Sequence, residues 1–271
     1  MSRSDAYFKV PCALEYRGFP FYPGRRARRH LVMSPLGGDI AGFHRLLMSS
    51  RWDAVDDVMV VMGNMVGIPS ERCAEEELED MAVRSRRLIE TIMGMSRRHP
   101  GRVFPLLGPV EYRFVMHHNT GHGLGAHLLR VYKELTSAQL EFMHSLPAIG
   151  KFETRSRDWL VLYSGLIPGA SIFDTDAPRH QTRHSATCYR WTPAGLAAPN
   201  AARYAKITEQ APNGRVFWPY EYSGPEQLIT AWGPGDGTYP KEYNTKSDRV
   251  CVALGPCTPL VYVLENSMIY R

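Results

Sequence analysis

Cysteine is scarce in this 271-residue chain and unpatterned where it occurs. Cys12, Cys73, Cys188, Cys251 and Cys257 are odd in number and form no CxxC pair. This argues against a disulfide framework or a zinc knuckle and points to a reducing compartment. No apolar run is long enough to cross a bilayer, so neither a transmembrane helix nor a membrane partner is expected. Asp5 comes early and no apolar h-region follows it, which argues against a secretory signal. Arg3, Arg17, Arg25, Arg26, Arg28 and Arg29 keep a mitochondrial transit segment open, although Pro11, Pro20 and Pro23 oppose a long amphipathic helix there. There is no internal repeat and no low-complexity tract. Ser164 lacks the G-x-S-x-G frame of a nucleophile turn, so acyl transfer is set aside.

What remains is an ordinary globular composition, 44% hydrophobic and 22% charged, in a chain long enough to bury a substantial core. The net charge of +5 favours acidic partners: RNA, an acidic protein lattice or an anionic surface. Residues 1–30 read as an extended arm. They combine prolines, the aromatics Tyr7, Phe8, Tyr16, Phe19, Phe21 and Tyr22, and the basic cluster Arg25, Arg26, Arg28, Arg29 and His30. Such an arm is expected to lie on another surface, with Tyr16, Phe19, Phe21, Tyr22 and the four arginines as partner contacts.

From Leu31 the pattern becomes α/β. Leu31–Met33 predicts a strand, Phe43–Ser50 a helix, and the apolar run Asp57–Met62 a strand covered on both faces. Glu75–Arg98 predicts the strongest helix, acidic in its first turn and basic in its last, as the helix dipole favours. Val103–Leu107 predicts a strand, Gly125–Leu135 and Ser137–Leu146 helices, and Trp159–Tyr163 a buried strand. Residues 168–222 read as an irregular insertion. Strands are expected again near Gln227–Ala231, Val250–Ala253, Leu260–Leu264 and Met268–Arg271. Alternating elements followed mostly by strands predict a layered α/β sandwich over residues 31–271.

The hydrophobic runs end repeatedly in glycine-bearing turns: Gly38-Asp39-Ile40-Ala41-Gly42, Gly63-Asn64-Met65-Val66-Gly67-Ile68-Pro69, Gly108-Pro109-Val110-Glu111, Tyr163-Ser164-Gly165-Leu166-Ile167-Pro168 and Gly233-Pro234. In order and spacing these resemble the motifs of the metallophosphoesterases of the Ser/Thr protein phosphatase (calcineurin-like) type, diadenosine-tetraphosphatase relatives included: G-D-x-H-G, G-D-x-V-D-R-G, G-N-H-E, H-G-G-I-x-P and G-H. Phe142–Pro147 also resembles the short Leu-Pro element before the fourth motif. The resemblance implies an α/β/β/α sandwich. It also implies a site where two metal ions about 3.5–4 Å apart clamp an in-line phosphoryl displacement.

On that alignment the glycines are kept and the ligands are not. Asp39 is the residual hard-metal ligand. Ala41 stands where an imidazole would bind, Asn64 at the bridging aspartate, and Gly67 and Ile68 at the Asp-Arg pair. Pro109 and Val110 take the places of the Asn and catalytic His, and Tyr163 and Pro234 those of the later metal histidines. Two divalent cations need several anionic or imidazole donors, so no bound metal and no other cofactor are expected. Outside the alignment, donor sets could form from His117, His118, His122 and His127, or from Asp174, Asp176, His180 and His184; solvated or hydrogen-bonded histidines are the simpler reading. Asp39 could serve simply as a helix cap, Glu111 as a solvated strand-end residue, and Met62, Met65, Met93 and Met95 as core filler. Trp191, Phe217, Trp218, Tyr220 and Tyr222, interleaved with Arg190, Arg203, Lys206 and Arg215, suit a protein interface better than a base-stacking surface.

The expectation is a catalytically inactive phosphatase-like protein, a structural subunit of a large cytoplasmic assembly. A cytoskeletal or flagellar microtubule-associated complex with an acidic, tubulin-like partner is favoured. Two alternatives stand beside it: a ribonucleoprotein subunit, as in an organellar ribosome, and a divergent active metal-dependent phosphoesterase.

Overall fold

The structure, a computed structural model, describes residues 14–16, 19–22, 27–68, 74–121, 123–154, 157–163, 226–231, 239–245, 248–255 and 259–271. Arg25, Arg26, Ser164, His122, Pro234, the 168–222 insertion and the Asp174–His184 group lie outside the described residues.

Side-chain alternation in the strands creates the layers. β3 (His30–Met33), β4 (Val58–Val61) and β5 (Val103–Pro105) run parallel, and Leu31, Met59 and Val103 lie side by side. The antiparallel strands β11 (Val261–Val263) and β12 (Ile269–Tyr270) complete a five-stranded sheet, β12-β11-β3-β4-β5. A second sheet has seven strands. They are β1 (Leu14–Tyr16), β2 (Phe19–Tyr22), β6 (Ile149–Glu153), β7 (Asp158–Leu162), β8 (Gln227–Thr230), β9 (Lys241–Asn244) and β10 (Val250–Ala253), in the order β1-β2-β6-β7-β8-β10-β9. Successive residues of a strand face opposite ways. Val32, Val58, Val60, Met62 and Phe104 therefore join Phe152, Trp159, Val161, Ile229 and Val252 in one core between the sheets. Leu31, Met33, Met59, Val61 and Val103 face the opposite side, into the helical core. The predicted sandwich is what forms.

Among the described residues, five helices supply that second core: α1 (Ile40–Ser50), α2 (Glu75–Arg98), α3 (Pro109–Thr120), α4 (Ala126–Lys133) and α5 (Ser137–Ser145). α2 keeps its predicted bounds. It buries Ala82, Ser85, Leu88, Ile89, Ile92, Met93, Met95 and Ser96, a stripe at helical spacing. Fully burying a Leu or Ile of this kind contributes about 1.5–3 kcal/mol. Cys251 is buried in β10, which pushes its thiol up to about 12 and keeps it protonated.

Residues 14–16 and 19–22 of the expected arm are built into this chain's own sheet. β1 and β2 pair antiparallel, and β2 pairs parallel with β6 through Phe21–Lys151 and Tyr22–Phe152. Tyr16, Phe19, Phe21 and Tyr22 sit on those two strands. β3 starts at His30, and Ala27 is already buried between the sheets.

Arg28 and Arg29, expected to reach a partner, both grip Asp57. Arg28 donates Nε and Nη2 at 3.1 and 3.0 Å, and Arg29 also donates through both nitrogens. The Asp57 carboxylate is fully buried and additionally takes the Asp53 N–H at 3.1 Å. Burial pushes this carboxyl up, but Arg29 and Arg28 outweigh burial and hold it below the ordinary Asp range. Its stabilising contribution is therefore present above the unfolded-state pKa and disappears as pH falls through the lower folded-state value. Asp57→Asn should cost about 2 kcal/mol at neutral pH, less than a wholly buried pair because Arg28 is half exposed. Urea titrations at pH 7 and in acid check this: the difference from wild type should shrink in acid.

Candidate functional site

The glycine-bearing turns after β3, β4 and β5 meet at the carboxyl ends of those strands, where open α/β sheets place their ligands. Their contacts are backbone to backbone. Gly37 N–H donates to the Asn64 carbonyl at 2.7 Å. A Cβ on Gly38 would stand 2.9 Å from the Gly67 nitrogen, and one on Gly63 would stand 2.4 Å from the Gly108 nitrogen. Gly63 and Asn64 have φ of 83° and 48°, a left-handed pair that turns the chain sharply after β4. Gly38, Gly63 and Gly108 leave no room for a Cβ because the turns interlock there.

Glu111 ties the turns together. It stands at the third position of α3, wholly buried. One carboxylate oxygen accepts the N–H of Asn64 at 2.8 Å and of Gly108 at 3.1 Å; the other accepts Met65 at 2.7 Å and Val66 at 3.2 Å. Burial pushes its carboxyl above the ordinary Glu range, and the surrounding backbone donors pull against that. The reading of Glu111 as a solvated strand-end residue is corrected: it is the hub of the site. The signal was present in the sequence, since Pro at the first helical position with Glu two residues later marks a helix start. α3 itself was not predicted.

The positions aligned with metal ligands divide into two groups. Asn64, Val110 and Tyr163 are brought together and buried. The Asn64 side-chain amide donates to the Tyr163 hydroxyl at 2.7 Å, and its carbonyl oxygen accepts the Val110 N–H at 3.4 Å. Asp39 instead caps α1. It accepts the Gly42 N–H at 2.7 Å and faces Arg45 at 3.4 Å. Ala41 is exposed on α1, Ile68 is exposed after the second turn, Pro109 is half-buried, and Gly67 is buried with its N–H donated to Ser85 at 3.0 Å. Tyr163→Phe should leave the Asn64 amide without that buried acceptor and lower stability by about 1–2 kcal/mol, read from the shift of the thermal midpoint.

The histidines form a separate surface group. His118 Nδ1 lies 3.0 Å from the Tyr132 hydroxyl, His144 Nε2 lies 3.1 Å from Asn119 Oδ1, and His117 stacks edge-on against Tyr132. Among the described residues, no three His, Cys, Asp or Glu side chains are placed to share a cation.

Comparison with known proteins locates the fold. No family model matches the chain, and no curated protein matches its sequence. A solved structure named "putative diadenosine tetraphosphatase" superposes with a TM-score of 0.60 at 13% identity, covering 92% of this chain and 95% of that one. A metallophosphoesterase from Sphaerobacter thermophilus covers 88% of this chain and 84% of its own at 15% identity and a TM-score of 0.42. A serine/threonine phosphatase from Saccharomyces cerevisiae covers 88% and 72% at 13% identity and 0.49. With its two packed sheets, outer helices and interlocked turns, the chain shares the layered α/β fold of the structure named "putative diadenosine tetraphosphatase".

Proposed function

We propose that this chain is a phosphatase-fold protein that binds without hydrolysing phosphoesters, acting as a structural subunit of a larger assembly. The observation that carries this reading is the pairing of Asn64 with Tyr163 and Val110. A neutral amide with both ends hydrogen-bonded into the wall is a poor bridge between two cations. The other carboxylates nearby are committed as well: Glu111 to four backbone N–H groups, Asp39 to the α1 cap and Arg45. This donor set does not fit a dinuclear centre, and no hydrolytic step is derived for it.

An acidic protein surface, such as a tubulin-type lattice, is the partner we favour over RNA. Arg28 and Arg29 already share the Asp57 carboxylate, so their charge is partly neutralised towards either kind of partner. Elemental analysis of the purified protein, combined with turnover of a generic aryl phosphate and of a dinucleoside polyphosphate, tests the loss of catalysis. The expected result is no stoichiometric metal and no turnover in either assay. Two metals per chain, with turnover abolished in Asp39→Ala, would falsify it. Binding that survives nuclease treatment supports the protein partner, and binding lost to nuclease rejects it.

A further inference from the structure

Among the described residues the two most exposed large apolar side chains are Met48, at 79%, and Val55, at 72%. They lie at the end of α1 and in the loop that follows it. Between them is Trp52, half-buried, whose ring meets the His99 ring edge-on at 5.5 Å. That contact joins two loops. On one side the Arg51 N–H bonds the Met48 carbonyl at 3.2 Å, and the Trp52 N–H bonds that of Leu47 at 3.3 Å. On the other side Arg98 closes α2, and the Arg102 N–H bonds the His99 carbonyl at 3.0 Å. Arg51, Arg98 and Arg102 are thereby gathered about one aromatic pair. Arg51 and Arg98 are exposed and Arg102 is half-buried.

Helix dipoles account for part of this charge. Arg97 and Arg98 stand in the last turn of α2, and Arg51 caps α1. The dipoles do not account for Arg102, which lies outside any helix, nor for two aliphatic side chains left in water. The carboxylates of the loop do not neutralise the group either. Asp57 is held by Arg28 and Arg29, and Asp53 and Asp56 lie close enough to Arg28 to stabilise its charge. Asp53 also accepts the Val55 N–H at 2.9 Å. Arg98 donates Nε to the Gly94 carbonyl at 3.3 Å. Among the described residues, no ion pair reaches Arg51, Arg98 or Arg102.

Tryptophan, methionine and arginine together on one exposed patch are the composition of an interface centre. The sign of the charge selects the partner, since guanidinium groups pair with carboxylates. We infer that this face, centred on Trp52, docks an acidic segment of another protein. An apolar side chain of that segment packs on Met48 and Val55, and its carboxylates meet Arg51 and Arg102. Nucleic acid suits the face less well, because phosphates answer the arginines and offer Met48 and Val55 nothing. The inference rests on the reading of the chain as a binding subunit with an acidic protein partner, and it names the face that meets that partner.

Fluorescence anisotropy on the full chain tests it with three labelled probes. They are a short glutamate peptide with a central Phe-Leu pair, the same peptide with Ser-Ser in its place, and an oligouridylate of equal charge. The Phe-Leu peptide should bind tightest, and its affinity should fall with added salt. Arg51→Glu and Arg102→Glu should each weaken it on the order of tenfold, because each sets like charges together. Met48→Ser and Val55→Ser should weaken the Phe-Leu peptide roughly fivefold and leave the Ser-Ser peptide unchanged. Arg113→Glu is the control for net charge. Arg113 is exposed on α3, which begins at the carboxyl end of β5, whereas Arg102 precedes its amino end. That variant should change affinity by no more than about twofold. All five substitutions should leave circular dichroism unchanged. Equal loss in Arg113→Glu, tighter binding of the oligouridylate, or no peptide binding overturns the inference. Self-association of the free chain that Val55→Ser abolishes would assign the face to a second copy and overturn it too. Peptide binding that the patch variants leave intact removes this face and spares the binding-subunit reading. Stoichiometric metal with turnover removes that reading, and the peptide titrations still report on the face.

Discussion

Glu111→Ala should remove about 4 kcal/mol or more of stability, a large part of what a domain of ordinary stability possesses. The substitution strands four buried N–H donors, those of Asn64, Met65, Val66 and Gly108, that now share one carboxylate. Each unsatisfied buried donor costs about 1–3 kcal/mol, and water entering the vacated space offsets part of the sum. Glu111→Gln discriminates between a packing role and an acceptor role. Both carboxylate oxygens accept two N–H groups, so whichever end the amide nitrogen occupies, it confronts two donors. The glutamine variant should therefore be nearly as unstable as the alanine variant despite its matching shape. Equilibrium urea unfolding of both variants reads this out. A near-wild-type glutamine variant would show that shape, not acceptance, is what the site needs.

The second large effect is steric. Gly63→Ala puts a Cβ 2.4 Å from the Gly108 nitrogen and 2.5 Å from its Cα, at a φ of 83° that a side chain resists. Gly108→Ala puts one 2.3 Å from the Asn64 nitrogen and 2.5 Å from the Glu111 carboxylate. The obstacles are largely backbone and cannot rotate away, so each should cost roughly 3 kcal/mol or more. Gly37→Ala is the control. Its φ of 57° is also left-handed, but a Cβ there meets nothing within 4 Å, and the cost should be only about 1 kcal/mol. Thermal midpoints of the three variants separate interlocking from backbone strain. If Gly37→Ala proves as damaging as the other two, close approach of the turns is not the reason these glycines are required.

These expectations change what the preserved glycines mean. In the motifs that the sequence resembles, metal ligands and turn glycines sit together, which is why glycines without ligands read, from sequence, as an expected frame without its chemistry. The structure supplies a mechanical reason for the frame. Turns that touch backbone to backbone have no room for a Cβ, whatever happens at the cleft.

Elements carried by local pattern were legible. α2 combines an acidic first turn, a basic last turn and a stripe of apolar residues, and its bounds emerged as predicted. β4 and β7 are short apolar runs buried on both faces, and both were found. Asn64, Val110 and Tyr163, named separately from three motifs, come together, with Asn64 hydrogen-bonded to both of the others. Where the pattern is mixed, the reading missed. β6 mixes half-buried with buried residues and β9 has none buried, and their pairing comes from neighbouring strands. α3 has a weak apolar stripe and is announced only by its start signal.

Charged residues were the least legible, because the fate of a charge depends on what folds against it. Arg28 and Arg29 look like a solvated basic run until β4 brings Asp57 beside them. Glu111 looks exposed until the turn after β4 wraps its N–H groups around it. Periodicity and turn chemistry are local, and they were enough for this chain to determine its layered α/β class, its longest helix and the placing of its glycine turns. Tertiary contact between residues distant in sequence decided that Glu111 is buried, that Asp39 is a cap, and that the first strands extend the sheet, because a lone hydrogen-bonding or charged group acquires its role only from the partner that desolvates it.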